Sequence, residues 1–186
     1  MPALETSSDA SRRVRPQVWV VSSVFLITAS VTVLVMYLLT PGVAGAERAF
    51  TRYETEAISI LARQSQVAQR WNAVLDEYNA VTAYAGPDYI EQFNASLDQT
   101  RRIVNDSQSV LSDWRALEPD PGAEDSHRYA LQAMSSTQYG FILMQDYLQV
   151  MIEYGIGEAR LIEESRRQFD AASDYWDLAR RAEPLN

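Results

Sequence analysis

Between Arg15 and Glu47 the chain carries no charged residue, and within that stretch residues 17–39 read QVWVVSSVFLITASVTVLVMYLL. As a helix these 23 positions would reach about 34 Å, enough to cross a hydrocarbon core of about 30 Å. Trp19 and Tyr37 stand near the two ends, where amphipathic rings favour the interface. The run therefore predicts a transmembrane helix in contact with membrane lipid. Arg12, Arg13 and Arg15 precede it, and no basic residue follows until Arg48. That bias places residues 1–16 in the cytoplasm as a short tail and residues 41–186 outside, at the cell membrane. A cleaved signal peptide is the competing reading, because Ala44-Gly45-Ala46 fits a small-residue cleavage site. The apolar run is longer than the 7–15 residues usual for a secretory signal.

Past a short stalk at 40–49, the segment 50–186 is punctuated by Gly86-Pro87, by Pro119, Pro121 and Gly122, and by Gly155 and Gly157. Between these breaks apolar side chains recur with a period near 3.5, the signature of helices packed side by side. Helix 1 is expected over 46–85, with a seam at Phe50, Tyr53, Ala57, Ile60, Gln64, Val67, Trp71, Val74, Tyr78 and Val81. Helix 2 is expected over 88–117, with Ile90, Phe93, Leu97, Thr100, Val104, Ser107, Leu111 and Trp114. Helix 3 spans 122–154 in this reading, capped by Asp120, with Ala130, Met134, Thr137, Phe141, Met144, Leu148 and Met151. Helix 4 spans 157–183, with Ile162, Ser165, Phe169, Ala172, Trp176 and Ala179. Short links force neighbours to run antiparallel, so the fold class is all-α: one transmembrane helix followed by an up-down-up-down four-helix bundle.

Composition narrows the chemistry. The absence of cysteine excludes disulfides, thiolate metal sites and covalent haem attachment. Residues 41–186 hold 13 arginines against 23 acids, an acidic balance that disfavours nucleic acid as a partner. All 16 basic residues are arginine, which points to a GC-rich bacterial genome. No phosphate loop, dinucleotide fingerprint or nucleophile-elbow motif is present, and no catalytic residue, metal ligand or cofactor is assigned.

His127, the sole histidine, forms Glu-x-x-His with Glu124, the spacing of di-iron bundles, but no second such motif exists. A haem would pair it with Met134, Met144 or Met151. The simpler expectation is a solvated first-turn histidine. Glu118, Asp120, Glu124 and Asp125 make an acidic turn without calcium-loop spacing, and the pairs Arg101/Arg102, Arg166/Arg167 and Arg180/Arg181 suit exposed faces.

Two features invite a functional reading. Counted down from the turns, Gln64, Ser107, Thr137, Gln138 and Trp176 fall near one height, as a polar core layer or a small pocket. In the apolar stretch 139–154, Tyr147, Val150 and Tyr154 lie beside the helix 3 seam as a candidate partner surface. The expected function is a non-enzymatic interaction or structural module, an accessory subunit that binds a protein or itself. One anchor feeding a four-helix bundle also resembles the outer domains of bacterial chemoreceptors and sensor kinases, which implies ligand sensing as the alternative. The chain departs from that pattern in having no second span and no cytoplasmic signalling region before Asn186.

Overall fold

The computed structural model describes residues 51–83, 89–155 and 157–182. They form four helices: α1 (Arg52–Ala83), α2 (Tyr89–Ala116), α3 (Glu124–Tyr154) and α4 (Ala159–Ala182). No strand occurs among the described residues. Among them, too, no helix is long and apolar enough to cross a membrane. The run 17–39 lies outside the described residues, as do the tail and the stalk.

α1 begins later than the expected residue 46. Thr51 is non-helical and closes a capping box with Glu54. The Glu54 amide donates to Thr51 Oγ1 at 3.1 Å, and the Thr51 amide donates to Glu54 Oε2 at 2.8 Å. Two of the orphan donors at a helix start are thereby met. The start of α3 also differs from expectation. Asp120 does not cap it; Pro121 and Gly122 form a turn, Gly122 with φ 93°, and α3 starts at Glu124 after Ala123. Glu124 instead reaches back to accept the Gly122 amide at 2.7 Å. α3 ends where Gly155 adopts the left-handed conformation and its amide returns to the Met151 carbonyl.

Cross-helix contacts fix the register. Arg63–Asp113 at 2.7 Å, Arg70–Asp106 at 2.6 Å and Gln99–Glu77 at 2.9 Å run down α1 and α2 in opposite order. The pairs Tyr53–His127, Trp71–Phe141 and Tyr78–Tyr147 run down α1 and α3 in the same order. α1 and α3 are therefore parallel, and α2 is antiparallel to both. Tyr147 lies against Gly157, and Ser165 donates to the Gly140 carbonyl at 2.9 Å, so positions on α3 and along the chain into α4 pair in opposite order and α4 is antiparallel to α3.

The core is broader than a two-position seam. Leu61, Ala68 and Leu75 join the α1 stripe, Ile103 and Val110 are buried on α2, and Leu117 is buried just past its end. Two seam members on α2 move outward: Ile90 is 47% exposed and Val104 is half-buried. Phe93, Leu97, Thr100, Ser107, Leu111 and Trp114 stay buried, and Ile103 and Val110 beside them widen the stripe in the manner of a globular helix.

α3 and α4 pack most closely. Gly140 makes this possible, because a Cβ there would stand 2.7 Å from the buried Phe169 ring. Gly140→Ala gains about 1 kcal/mol of helix propensity but drives a methyl into a ring that is 1% exposed and has nowhere to go. The variant is expected to melt below the wild type, by an amount that chemical denaturation would place at about 1–3 kcal/mol. Trp71, fully buried against Phe141 and Phe169, should cost about 3–5 kcal/mol as Trp71→Ala. Residues 46–186 alone should fold cooperatively, since the four stripes bury one another. A non-cooperative melt by circular dichroism would contradict that.

Candidate functional site

Four of the five residues assigned to the polar layer are in the core: Gln64, Ser107 and Thr137 at 1% exposure and Trp176 at 0%. Gln138 is not. It is half-buried and joins its amide to Gln108 across the α2–α3 surface, because its position on α3 faces outward between these helices.

The buried groups divide by how they are satisfied. Thr137 donates to the Ala133 carbonyl at 2.9 Å, as Thr100 does to Ser96 at 2.8 Å. A hydroxyl can bond back to its own helix in this way, as the Asn94 carboxamide also does to the Ile90 carbonyl at 3.0 Å; Gln64 and the indoles make no such bond. Gln64 leaves both Nε2 and Oε1 without a partner, and Trp71 and Trp176 each leave Nε1 without one. A buried polar atom left unmet costs about 1–3 kcal/mol, so these three residues are the chemically exceptional part of the core.

A second cluster sits at the end of the bundle where α1 begins. His127 is buried at 9% exposure, contrary to the expectation of a solvated histidine. Its ring stacks on Trp114 at 4.9 Å and 13°. Trp114 Nε1 donates to the His127 carbonyl at 3.1 Å, and Tyr53 Oη lies 3.3 Å from His127 Nδ1. Helices α1, α2 and α3 thus meet at this imidazole. Beside it Thr51 Oγ1 donates to Asp120 at 2.5 Å, tying the first residue before α1 to the α2–α3 turn. Burial pulls the His127 pKa down from its usual value.

The other chemical possibilities are answered by local partners. Glu124 is occupied by the Gly122 amide, Asp120 by Thr51 and Asp125 by Arg128 at 2.9 Å. Among the described residues no group of carboxylates and histidine is placed to hold a metal ion. Arg101, Arg166, Arg167 and Arg180 pair with acids one turn away on their own helices.

The three residues of the candidate partner surface separate. Tyr147 is in the core at 7% exposure, with its hydroxyl 3.0 Å from that of Tyr78 and its ring over Gly157. A Cβ at Gly157 would lie 2.3 Å from that ring, so the turn into α4 admits Tyr147 only because residue 157 is glycine. Burial and the bond with Tyr147 push the Tyr78 phenol pKa up. Val150 is half-buried, and Tyr154 is 70% exposed. Ile90, unassigned from the sequence, is 47% exposed at the same end of the bundle. Its place in an apolar seam concealed it; it stands in the first turn of α2, at the end of the bundle.

His127 gives the bundle a definite response to acid. Its folded-state pKa is depressed, so at neutral pH it is uncharged in both states and contributes no difference. Below about pH 6.5 the unfolded chain takes up a proton that the folded chain resists, and stability falls as pH falls. His127→Phe keeps the stack on Trp114 and removes the titration. Thermal melts at pH 7 and pH 5 should show a smaller loss for the variant than for the wild type; equal losses would show that His127 does not titrate against folding.

No protein-family model, curated protein sequence or solved structure matches this chain.

Proposed function

We propose that this protein is a membrane-tethered interaction module, with residues 17–39 as its anchor and the bundle held outside the cytoplasm to engage a protein partner or a second copy of itself. The observation that supports this most is where its exposed apolar side chains lie. Among the described residues, Tyr154 and Ile90 are two of the exposed large hydrophobics, at 70% and 47%. Both belong to the end formed by the α1–α2 and α3–α4 connections, opposite the end where α1 begins. In this reading the anchor enters at the α1 start, so the apolar tip is carried away from the bilayer by α1, 32 residues or about 48 Å long. A tip displayed at that distance is available to another envelope protein and not to lipid. Two further large hydrophobics are exposed away from that end, Tyr139 at 48% midway along α3 and Leu178 at 38% on α4. Tyr154 is the most exposed of the four, and exposed aromatic residues are frequent anchors of protein interfaces.

The acidic balance of residues 41–186 fits the same reading. It opposes adsorption to anionic lipid or nucleic acid and leaves the apolar tip as the adhesive element.

Two measurements test the reading. Protease added to intact cells should remove the bundle and spare residues 1–16; a protected bundle would overturn the orientation. A pull-down from detergent-solubilised native membranes should recover a partner or a second copy with the wild type. Tyr154→Ser with Ile90→Ser should lose it while the melting temperature stays within a few degrees, because neither side chain is in the core. Retention of the partner by the double variant would place the interface elsewhere and overturn the assignment of the tip.

A further inference from the structure

Trp71, Phe141 and Phe169 touch one another, at 5.0, 5.5 and 6.0 Å between ring centroids, and so mark a single level on α1, α3 and α4. Gln64 lies seven residues before Trp71 on α1. Trp176 lies seven residues after Phe169 on α4, which runs the other way. Seven residues are two helical turns, about 10 Å, and return to nearly the same face. Gln64 and Trp176 therefore face each other at one level, about 10 Å from the aromatic trio and towards the α1 start. Met134, seven before Phe141 on the parallel α3, joins them, and the Arg63–Asp113 pair brings Leu111 of α2 to the same height.

Thr137 and Ser107 sit above this level, by about one and one-and-a-half turns. The true layer is thus Gln64, Leu111, Met134 and Trp176, each no more than 1% exposed. Three of its polar atoms, Gln64 Oε1, Gln64 Nε2 and Trp176 Nε1, have no partner. They lie on α1 and α4, whose Cα atoms stay more than 8 Å apart throughout the described residues, whereas α3 and α4 come close. The orphan groups and the widest side of the bundle coincide.

We propose that this layer is a binding site for a small planar molecule with a cis-amide edge, of the lactam class. A carboxamide presents an acceptor and a donor side by side. Its complement is a ring N–H beside a ring carbonyl, which closes a cyclic pair of hydrogen bonds with Gln64. The second lone pair of the guest carbonyl accepts Trp176 Nε1. All three orphan atoms of the layer are then met by one functional group, while Met134 and Leu111 enclose an apolar body. A carboxylate is the wrong partner, because its charge would be buried without a cation. The guest enters between α1 and α4. This site is independent of the apolar tip and stands whether or not the tip binds a partner.

The probe is 2-pyridone, titrated into the uniformly ¹⁵N-labelled full chain in detergent micelles. The Trp176 indole N–H resonance is identified by its loss in Trp176→Phe. In the wild type it is expected to move downfield and saturate. Gln64→Leu removes the paired edge at nearly constant volume and should weaken the response at least about tenfold. Gln64→Met serves in its place if the leucine variant does not fold. Toluene, which has the flat body but no edge, should leave the indole resonance in place. Absence of a saturable shift with 2-pyridone, an equal response in the Gln64 variant, or an equal shift with toluene would each overturn the proposal.

Discussion

Trp71 holds three helices in register at once. Its ring reaches Phe141 on α3 and Phe169 on α4 from a position on α1 that is completely buried. The depth of that contact depends on Gly140, which lets α4 approach α3 closely enough to bring Phe169 under the tryptophan. A small residue on one helix and large rings on its neighbours is the alternation that interdigitated cores require. It also explains the asymmetry of the bundle. α3 and α4 are close because of the glycine, and α1 and α4 are wide because two aromatic rings lie between them.

The surface contributes little energy to this arrangement but does mark it. The Arg63–Asp113 and Arg70–Asp106 pairs are about half exposed, and such pairs are each worth at most about 1 kcal/mol. Their value is directional: they match only when α1 and α2 are antiparallel in one register, as flanking charges do along a coiled-coil seam. The end at which α1 begins is bound more firmly. There the Thr51–Glu54 box, the Thr51–Asp120 bond and the His127–Trp114–Tyr53 cluster join the start of α1 to both neighbouring helices. A segment entering the bundle at Thr51 would pull on α2 and α3 as well as on α1. That is the mechanical arrangement a tethered domain needs if load on its tether is not to peel off one helix.

Helix number, order and direction were legible because apolar spacing and glycine–proline breaks are local signals. Gln64, Ser107 and Thr137 could be placed in the core for the same reason, since each occupies a seam position. What failed was information about rotation and neighbours. Gln138 adjoins the seam at Thr137 but turns to Gln108, and Tyr147 turns inward because Gly157 leaves room for it. Neither could be read from periodicity, which gives a helix face only to within one residue's rotation of about 100°. His127 illustrates a different loss. Its acidic neighbours in sequence suggested solvent, while the residues that bury it, Tyr53 and Trp114, come from other helices. The Thr51–Glu54 box that starts α1 lies within a longer apolar pattern, and periodicity alone does not reveal it.

The unsatisfied groups bear on function through their cost. Gln64, Trp71 and Trp176 together carry on the order of 3–9 kcal/mol of unmet desolvation, against a stability of about 5–15 kcal/mol for an ordinary domain. Leucine at 64 would fill similar space without that penalty, whereas phenylalanine at 71 or 176 would remove the unmet N–H but leave a smaller ring in the core. The hydroxyls in the same core incur no such cost, because Thr100, Thr137 and Ser165 all bond to backbone carbonyls. The unmet groups are therefore confined to α1 and α4, two helices whose Cα atoms do not come within 8 Å of each other. A bundle whose only task was to hold its shape would gain by losing these groups. One that must part α1 from α4 to receive a guest gains by keeping them, since the closed state is destabilised relative to the occupied one by the atoms the guest would satisfy.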